Sequence, residues 1–246
     1  SLVKAQVERD MVILEIATGI WCVNCPGASM GADDLVAAGC NVAVIEYHGS
    51  DVSLDEYTND YSLSRINYYN IIPYPTAVFN GSYFEPGGHH TTSIYETYLP
   101  YYEYCESVLS SFTIAINQEN TGLDYMVSVI AKKVASTSST NMVLHLVLTE
   151  SDIPENWMGQ NEVNFVERLM IPDQNGTALD FSTGDTQVIN LEFTLDPGWV
   201  SGNCELVAFI QDNDSREILQ GTKVELQPLA VDNSPKNLPI SFKLQQ

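Results

Sequence analysis

The chain is expected to combine an α/β domain with an all-β sandwich that follows it. Three observations predict this. Two cysteines in C-x-x-C spacing, Cys22 and Cys25, stand between a strand-like apolar run and a helix-like segment. The hydrophobic pattern changes from helical to alternating at Ser111. At 246 residues the chain exceeds one typical domain, so two domains, or one with an appendage, are expected.

Composition narrows the classes. The net charge is −22, from 32 acidic and 10 basic residues, which argues against a nucleic-acid partner and against docking on an anionic membrane. No apolar run reaches the roughly 18 residues of a membrane span, because Glu15 interrupts the longest one. The sequence starts at Ser1 without a leader-like stretch, as a mature or trimmed chain would, so destination stays open on that ground. Five cysteines are too few for a disulfide scaffold and lack the second close pair of a zinc site. Haem attachment is excluded because Pro26, not His, follows Cys25. No cofactor is implied, and redox use of the close pair is what remains.

Each element of the first half follows from its pattern. Residues 11–17 are apolar enough for a buried parallel strand. The cysteine pair comes next, then residues 27–38 read as a helix closed by Gly39. Residues 41–47 form a second strand ending at His48-Gly49, which completes a right-handed βαβ unit. Residues 53–70 are polar and Tyr-rich and serve as a partly helical crossover. Asn80-Gly81 is a two-residue hairpin turn between strands at 76–79 and 82–85. A helix over 92–110 closes this half, with Pro100 bending or splitting it.

The spacing assigns chemistry to the pair. Cys22 is expected at the helix N-terminus, where unpaired N–H groups and the helix dipole favour a thiolate and make it the nucleophile. Cys25, one turn deeper, then resolves the mixed disulfide.

From residue 8 to 110 this order of elements resembles the thioredoxin fold. The resemblance implies a cis-proline at the mouth of the strand facing the pair, and Tyr74-Pro75-Thr76 matches that pattern. Pro75 is then expected to seat an extended substrate chain, with Tyr74 and Trp21 beside it. It also implies a buried acid on the strand leading to the pair. Glu15 takes that proton-relay role, or else lies on the exposed side of an edge strand. Val23-Asn24 is neither Gly-Pro, Gly-His nor Pro-His, which leaves the direction of exchange open.

Beyond Ser111 seven strand-like runs, separated by Gly, Asn, Asp, Pro and Ser clusters, match an immunoglobulin-like β-sandwich in number. The domain boundaries expected are 1–110, 111–229 and a linker over 230–246. The C-x-x-C-Pro pair, residues 163–172, and the runs 207–212 and 217–220 together resemble the outer-membrane-protein-28-related family, which joins a thioredoxin-like domain to a β-sandwich. Residues 240–246 resemble the lead-in to a C-terminal sorting domain. These resemblances imply an exported protein at the cell surface, in the outer membrane or outside the cell.

Other residues have a functional and a plain reading. His48 should emerge at the same sheet edge as Cys22, where an imidazolium would lower the thiolate pKa, or it merely caps its strand. Adjacent His89 and His90 on a Gly-rich loop are a poor metal pair, and no metal is expected. Cys40 and Cys105 should meet at the opposite edge, as a structural disulfide or as packed thiols. Cys204 reads as a buried small hydrophobe. The oxygen-rich run 212–214 is a solvated turn before it is a calcium site.

Two function classes compete. The first is an exported thiol-disulfide oxidoreductase whose partners are protein or peptide thiols and disulfides. The second is a non-catalytic surface protein with a structural Cys22–Cys25 bridge and an unidentified surface partner. A weaker third reading is a peptide- or glycan-binding module built on the many tyrosines.

Overall fold

A computed structural model describes residues 5–50 and 55–228. The linker and sorting segment expected over 230–246 lie outside the described residues. The described residues contain fourteen strands and three α-helices. The first half runs β1 (Val12–Thr18), α1 (Cys25–Ala37), β2 (Val42–His48), α2 (Asp60–Tyr69), β3 (Thr76–Phe79), β4 (Tyr83–Pro86) and α3 (Tyr95–Ser107). The second half is β5 (Phe112–Thr121), β6 (Asp124–Lys133), β7 (Met142–Glu150), β8 (Ile153–Trp157), β9 (Gln160–Val163), β10 (Val166–Ile171), β11 (Thr177–Leu179), β12 (Thr186–Thr194), β13 (Cys204–Asp212) and β14 (Ile218–Glu225).

The arrangement corrects the expected fold class. In place of an α/β thioredoxin-like domain followed by a separate immunoglobulin-like sandwich, one mixed nine-stranded sheet runs β14-β13-β7-β10-β2-β1-β3-β4, with β11 on β7. The join is β10, which lies parallel to β2 at Val166 and Glu46 and antiparallel to β7. The physical reason lies in β7 and β13. All nine residues of β7 are buried, as are eight of the nine of β13. Strands apolar on both sides belong at the centre of a covered sheet, not in a sandwich layer with one wet face.

Helices α1 and α3 cover one face of β1, β2 and β3, where Val12, Leu14 and Ile16 meet Val42, Val44, Ala28, Ala32 and Leu35. The other face carries Ile13, Ala17, Ile45 and Tyr47 against Ile66 of α2 and Val207 and Phe209 of β13. The sheet curls so far that Gly221 of β14 rests on Ile13, and a Cβ there would run into the Ile13 side chain. A second sheet, β12-β6-β5, packs on the β7–β13 region through Val127, Val129, Leu146, Leu206 and Ala208.

Local signals hold where they were strongest. Asn80 and Gly81 both have positive φ, the mirror-image turn that suits strand twist. The Asn80 side chain also accepts a hydrogen bond from the Ile13 N–H at 2.9 Å, tying the turn to β1. Pro100 sits inside α3, which nonetheless runs unbroken from Tyr95 to Ser107. No helix among the described residues is long and apolar enough to cross a membrane.

Candidate functional site

Cys22 and Cys25 are disulfide-bonded, with their Cα atoms 5.4 Å apart. Helix α1 begins at Cys25, with Asn24 as its N-cap, so Cys22 lies in the turn just before the helix and not on its first turn. That turn is held by the Cys22 N–H donating to the Gly19 carbonyl at 3.0 Å and the Cys25 N–H to the Cys22 carbonyl at 3.2 Å. Pro26 falls in the first helical turn, where a missing N–H leaves no hydrogen bond unmade. Cys22 is 5% exposed and Cys25 is fully buried.

The loop after β4 braces the pair. The Gly27 N–H, one of the helix's unpaired donors, reaches the His89 carbonyl at 2.7 Å, and His90 Nδ1 lies 2.9 Å from the Val23 carbonyl oxygen. A side chain at Gly27 would strike the backbone of His89 and Thr92. His89 and His90 therefore serve as scaffold for the C-x-x-C turn.

Pro75 stands beside that turn. The Tyr74–Pro75 peptide is cis, and a Cβ at Gly88 would collide with both the Pro75 ring and the Asn24 carbonyl. The Pro75 carbonyl already accepts from the Gly87 N–H at 2.8 Å. Tyr74 packs edge-on to Trp21, with ring centroids 5.2 Å apart, and Trp21 Nε1 donates to the Gly49 carbonyl at 2.9 Å. Trp21 and Tyr74 thus pack together, with the buried Pro75 next in the chain.

Glu15 does not belong to this site. Its side chain points to the α2 face, away from α1, where Arg65 Nη2 donates to it at 2.6 Å and Tyr69 also donates to it. Gln211 of β13 completes the group by accepting from Arg65 Nη1 at 3.0 Å. Glu15 is buried, but as half of an ion pair that ties α2 and β13 to β1.

A buried acid on the α1 side of β2 is Glu46, a residue to which the sequence pattern assigned no role. Cys25, Ser29 and Asp33 recur at four-residue intervals and so share one side of α1. The Ser29 hydroxyl donates to Glu46 Oε1 at 2.7 Å, while Oε2 has no partner among the described residues. Burial pushes the Glu46 carboxyl up to about 8, offset in part by the Ser29 bond. Burial likewise raises Asp33 to about 6, opposed by a hydrogen bond from Asn164.

His48 lies on the same side of β2, two residues beyond Glu46. Its Nδ1 is 3.0 Å from Asp55, and its buried Nε2 has no partner among the described residues. Burial raises the Asp55 carboxyl, but hydrogen bonding and charge from His48, with N–H bonds from Ile20 and Tyr57, bring it below its ordinary value. The Ile20 N–H donates to the same Asp55 carboxylate at 2.9 Å, so this buried pair anchors the segment leading into Cys22.

Cys40 and Cys105 are both free thiols, so the bridge expected between them is not formed. Cys105 is buried against the α1–α3 core, and burial raises its thiol to about 11. Cys204 is buried as expected, with its thiol raised to about 12 by burial. At the 212–214 turn Asp212 accepts from the Asp214 N–H and Asp214 from the Asn141 amide, so both side chains serve the turn itself.

No protein-family model matches the chain, and no curated protein is recognisably similar in sequence. In fold the chain is similar to HBP35 of Porphyromonas gingivalis, with a TM-score of 0.74 and 15% identity over 98% of this chain and 84% of that one. At that identity the likeness shows the fold alone. A weaker similarity, TM-score 0.39 and 18% identity, covers 49% of this chain and 92% of a domain of the outer membrane lipoprotein Omp28 from Porphyromonas gingivalis, and it carries no argument.

Proposed function

We propose that the chain is an exported or surface-associated protein of the outer-membrane-protein-28-related group, whose Cys22–Cys25 pair exchanges with protein thiols and disulfides. The observation that carries this reading is the setting of the bond. It lies at the mouth of α1 beside Trp21, Tyr74 and Pro75, and Glu46, with an unpartnered oxygen, lies behind the helix face that Cys25 begins.

In this reading Cys22 forms the mixed disulfide and Cys25 resolves it. Glu46 holds and returns the Cys25 proton, for which a carboxyl raised to about 8 suits a thiol better than an ordinary one. Disulfides form and persist in oxidising compartments, which supports export, and the sequence runs that resemble the family support the grouping. A second reading, a purely structural bridge, is favoured by the burial of both cysteines.

The test is reduction of a model protein disulfide by the reduced chain, alongside Cys22→Ser and Glu46→Gln. Turnover should vanish in Cys22→Ser, and in Glu46→Gln the pH profile of the rate should lose its limb near pH 8. Equal turnover in wild type and Cys22→Ser would overturn the reading.

A further inference from the structure

The buried disulfide shares its apolar cluster with residues of the second half of the chain. Strands β8 and β9 form a hairpin that hydrogen-bonds as a sheet only within itself among the described residues. Its turn, Met158-Gly159, has positive φ at both positions, which fixes a tight two-residue tip. Most of the hairpin is exposed or half-buried. Trp157 at 4% and Val163 at 2% are the exceptions, and both belong, with Tyr57 and Val166, to the buried apolar cluster that holds Cys22 and Cys25.

A few polar contacts hold this cover down. The Tyr57 hydroxyl donates to Glu155 at 3.0 Å, and the Asn164 amide at the hairpin's base donates to Asp33 of α1 at 3.0 Å. The Trp157 indole N–H is satisfied inside the hairpin by the Glu162 carbonyl at 2.8 Å, so lifting the hairpin takes its own polar network with it intact. An isolated two-stranded hairpin is marginal in water, so this one depends on the shared apolar cluster and these polar ties to stay seated.

We propose that the β8–β9 hairpin, through Trp157, is the specificity gate of the cysteine pair, admitting protein thiols that carry a large apolar residue beside the cysteine. Such a residue replaces Trp157 over the disulfide, whereas a bare small thiol has nothing to offer in exchange for it. This rests on the redox reading above. The substrate thiolate attacks Cys22, the less buried sulfur, the Cys22–Cys25 bond breaks, and Cys25 leaves as a thiolate and takes up a proton. A second substrate thiolate then attacks the mixed disulfide and frees Cys22. The substrate dithiol is oxidised and the pair is reduced by two electrons.

The full chain tests this with dithiothreitol as the small dithiol, following reduction of the pair by alkylation and mass spectrometry. Trp157→Ala should raise the reduction rate by about tenfold or more, and Tyr57→Phe, which removes only the hydroxyl that holds Glu155, by a few-fold. Far-UV circular dichroism confirms folding, and if Trp157→Ala does not fold, Tyr57→Phe decides. Rates within twofold of wild type in the folded variants overturn the gate. Accelerated reduction together with oxidation of a protein dithiol supports gate and redox reading alike. Accelerated reduction with no protein turnover in any variant leaves Trp157 as the cover but overturns its role in substrate choice, and the redox reading fails with it.

Discussion

Replacing Glu46 by Gln should change how the stability of the protein depends on pH. In the folded chain burial holds this carboxyl at about 8, against 4.5 for an ordinary glutamate. Between those values the unfolded chain has lost a proton that the folded chain keeps, so stability falls as pH rises. Below about 4.5 both states are protonated, and above about 8 both are ionised, so the slope is confined to that window. Its size is about 1.4 kcal/mol for each pH unit, which removes roughly 3 kcal/mol from about pH 5 to about pH 7.5. Glutamine fills the same space and its carbonyl can accept from Ser29 without titrating. Urea unfolding of both proteins across this range should show the variant's advantage growing from near zero to about 3 kcal/mol. Glu167, raised by burial to about 8 as well, adds a slope of its own that cancels in the difference. Parallel stability curves for the two proteins would refute the account of Glu46 as a buried, proton-holding acid.

Two further outcomes follow from the packing. Arg65→Leu leaves Glu15 buried without its partner and should cost about 3–5 kcal/mol in urea unfolding, much of it recovered in the double variant Arg65→Leu with Glu15→Leu. No recovery in the double variant would mean that Arg65 matters through its other contacts, to Tyr69 and Gln211. Thiol titration in denaturant without reductant should find three reactive cysteines, Cys40, Cys105 and Cys204, and one reactive cysteine would instead restore the Cys40–Cys105 bridge.

Local features were legible in the sequence because their causes are local. The strand, cysteine pair, helix and strand from β1 to β2 follow from a buried run, a C-x-x-C turn and a helical pattern within about forty residues. Asn80-Gly81 announces its turn through two residues that accept positive φ. The union of the two halves was not legible, because Val166 and Glu46 are far apart in sequence and periodicity names a strand without naming its neighbour. The orientation of Glu15 was not legible for a related reason. β1 is buried on both faces, so alternation could not say whether Glu15 or its neighbours Leu14 and Ile16 face α1. One signal was available: Val42, Val44 and Glu46 share a face of β2, and Ser29, four residues after Cys25, offers a hydroxyl on the matching face of α1. Trp157 carried no local mark of its place, since the cluster it shares with Cys22 and Cys25 joins residues far apart in sequence.

The reduction potential of the Cys22–Cys25 pair, measured by equilibration with glutathione or a dithiol buffer beside the model-disulfide assay, separates an exchanging pair from a structural bridge. The redox reading predicts a reversible couple in the range of about −120 to −270 mV, together with turnover that depends on Cys22. A potential below about −300 mV with no turnover would contradict it and make the pair a structural bridge.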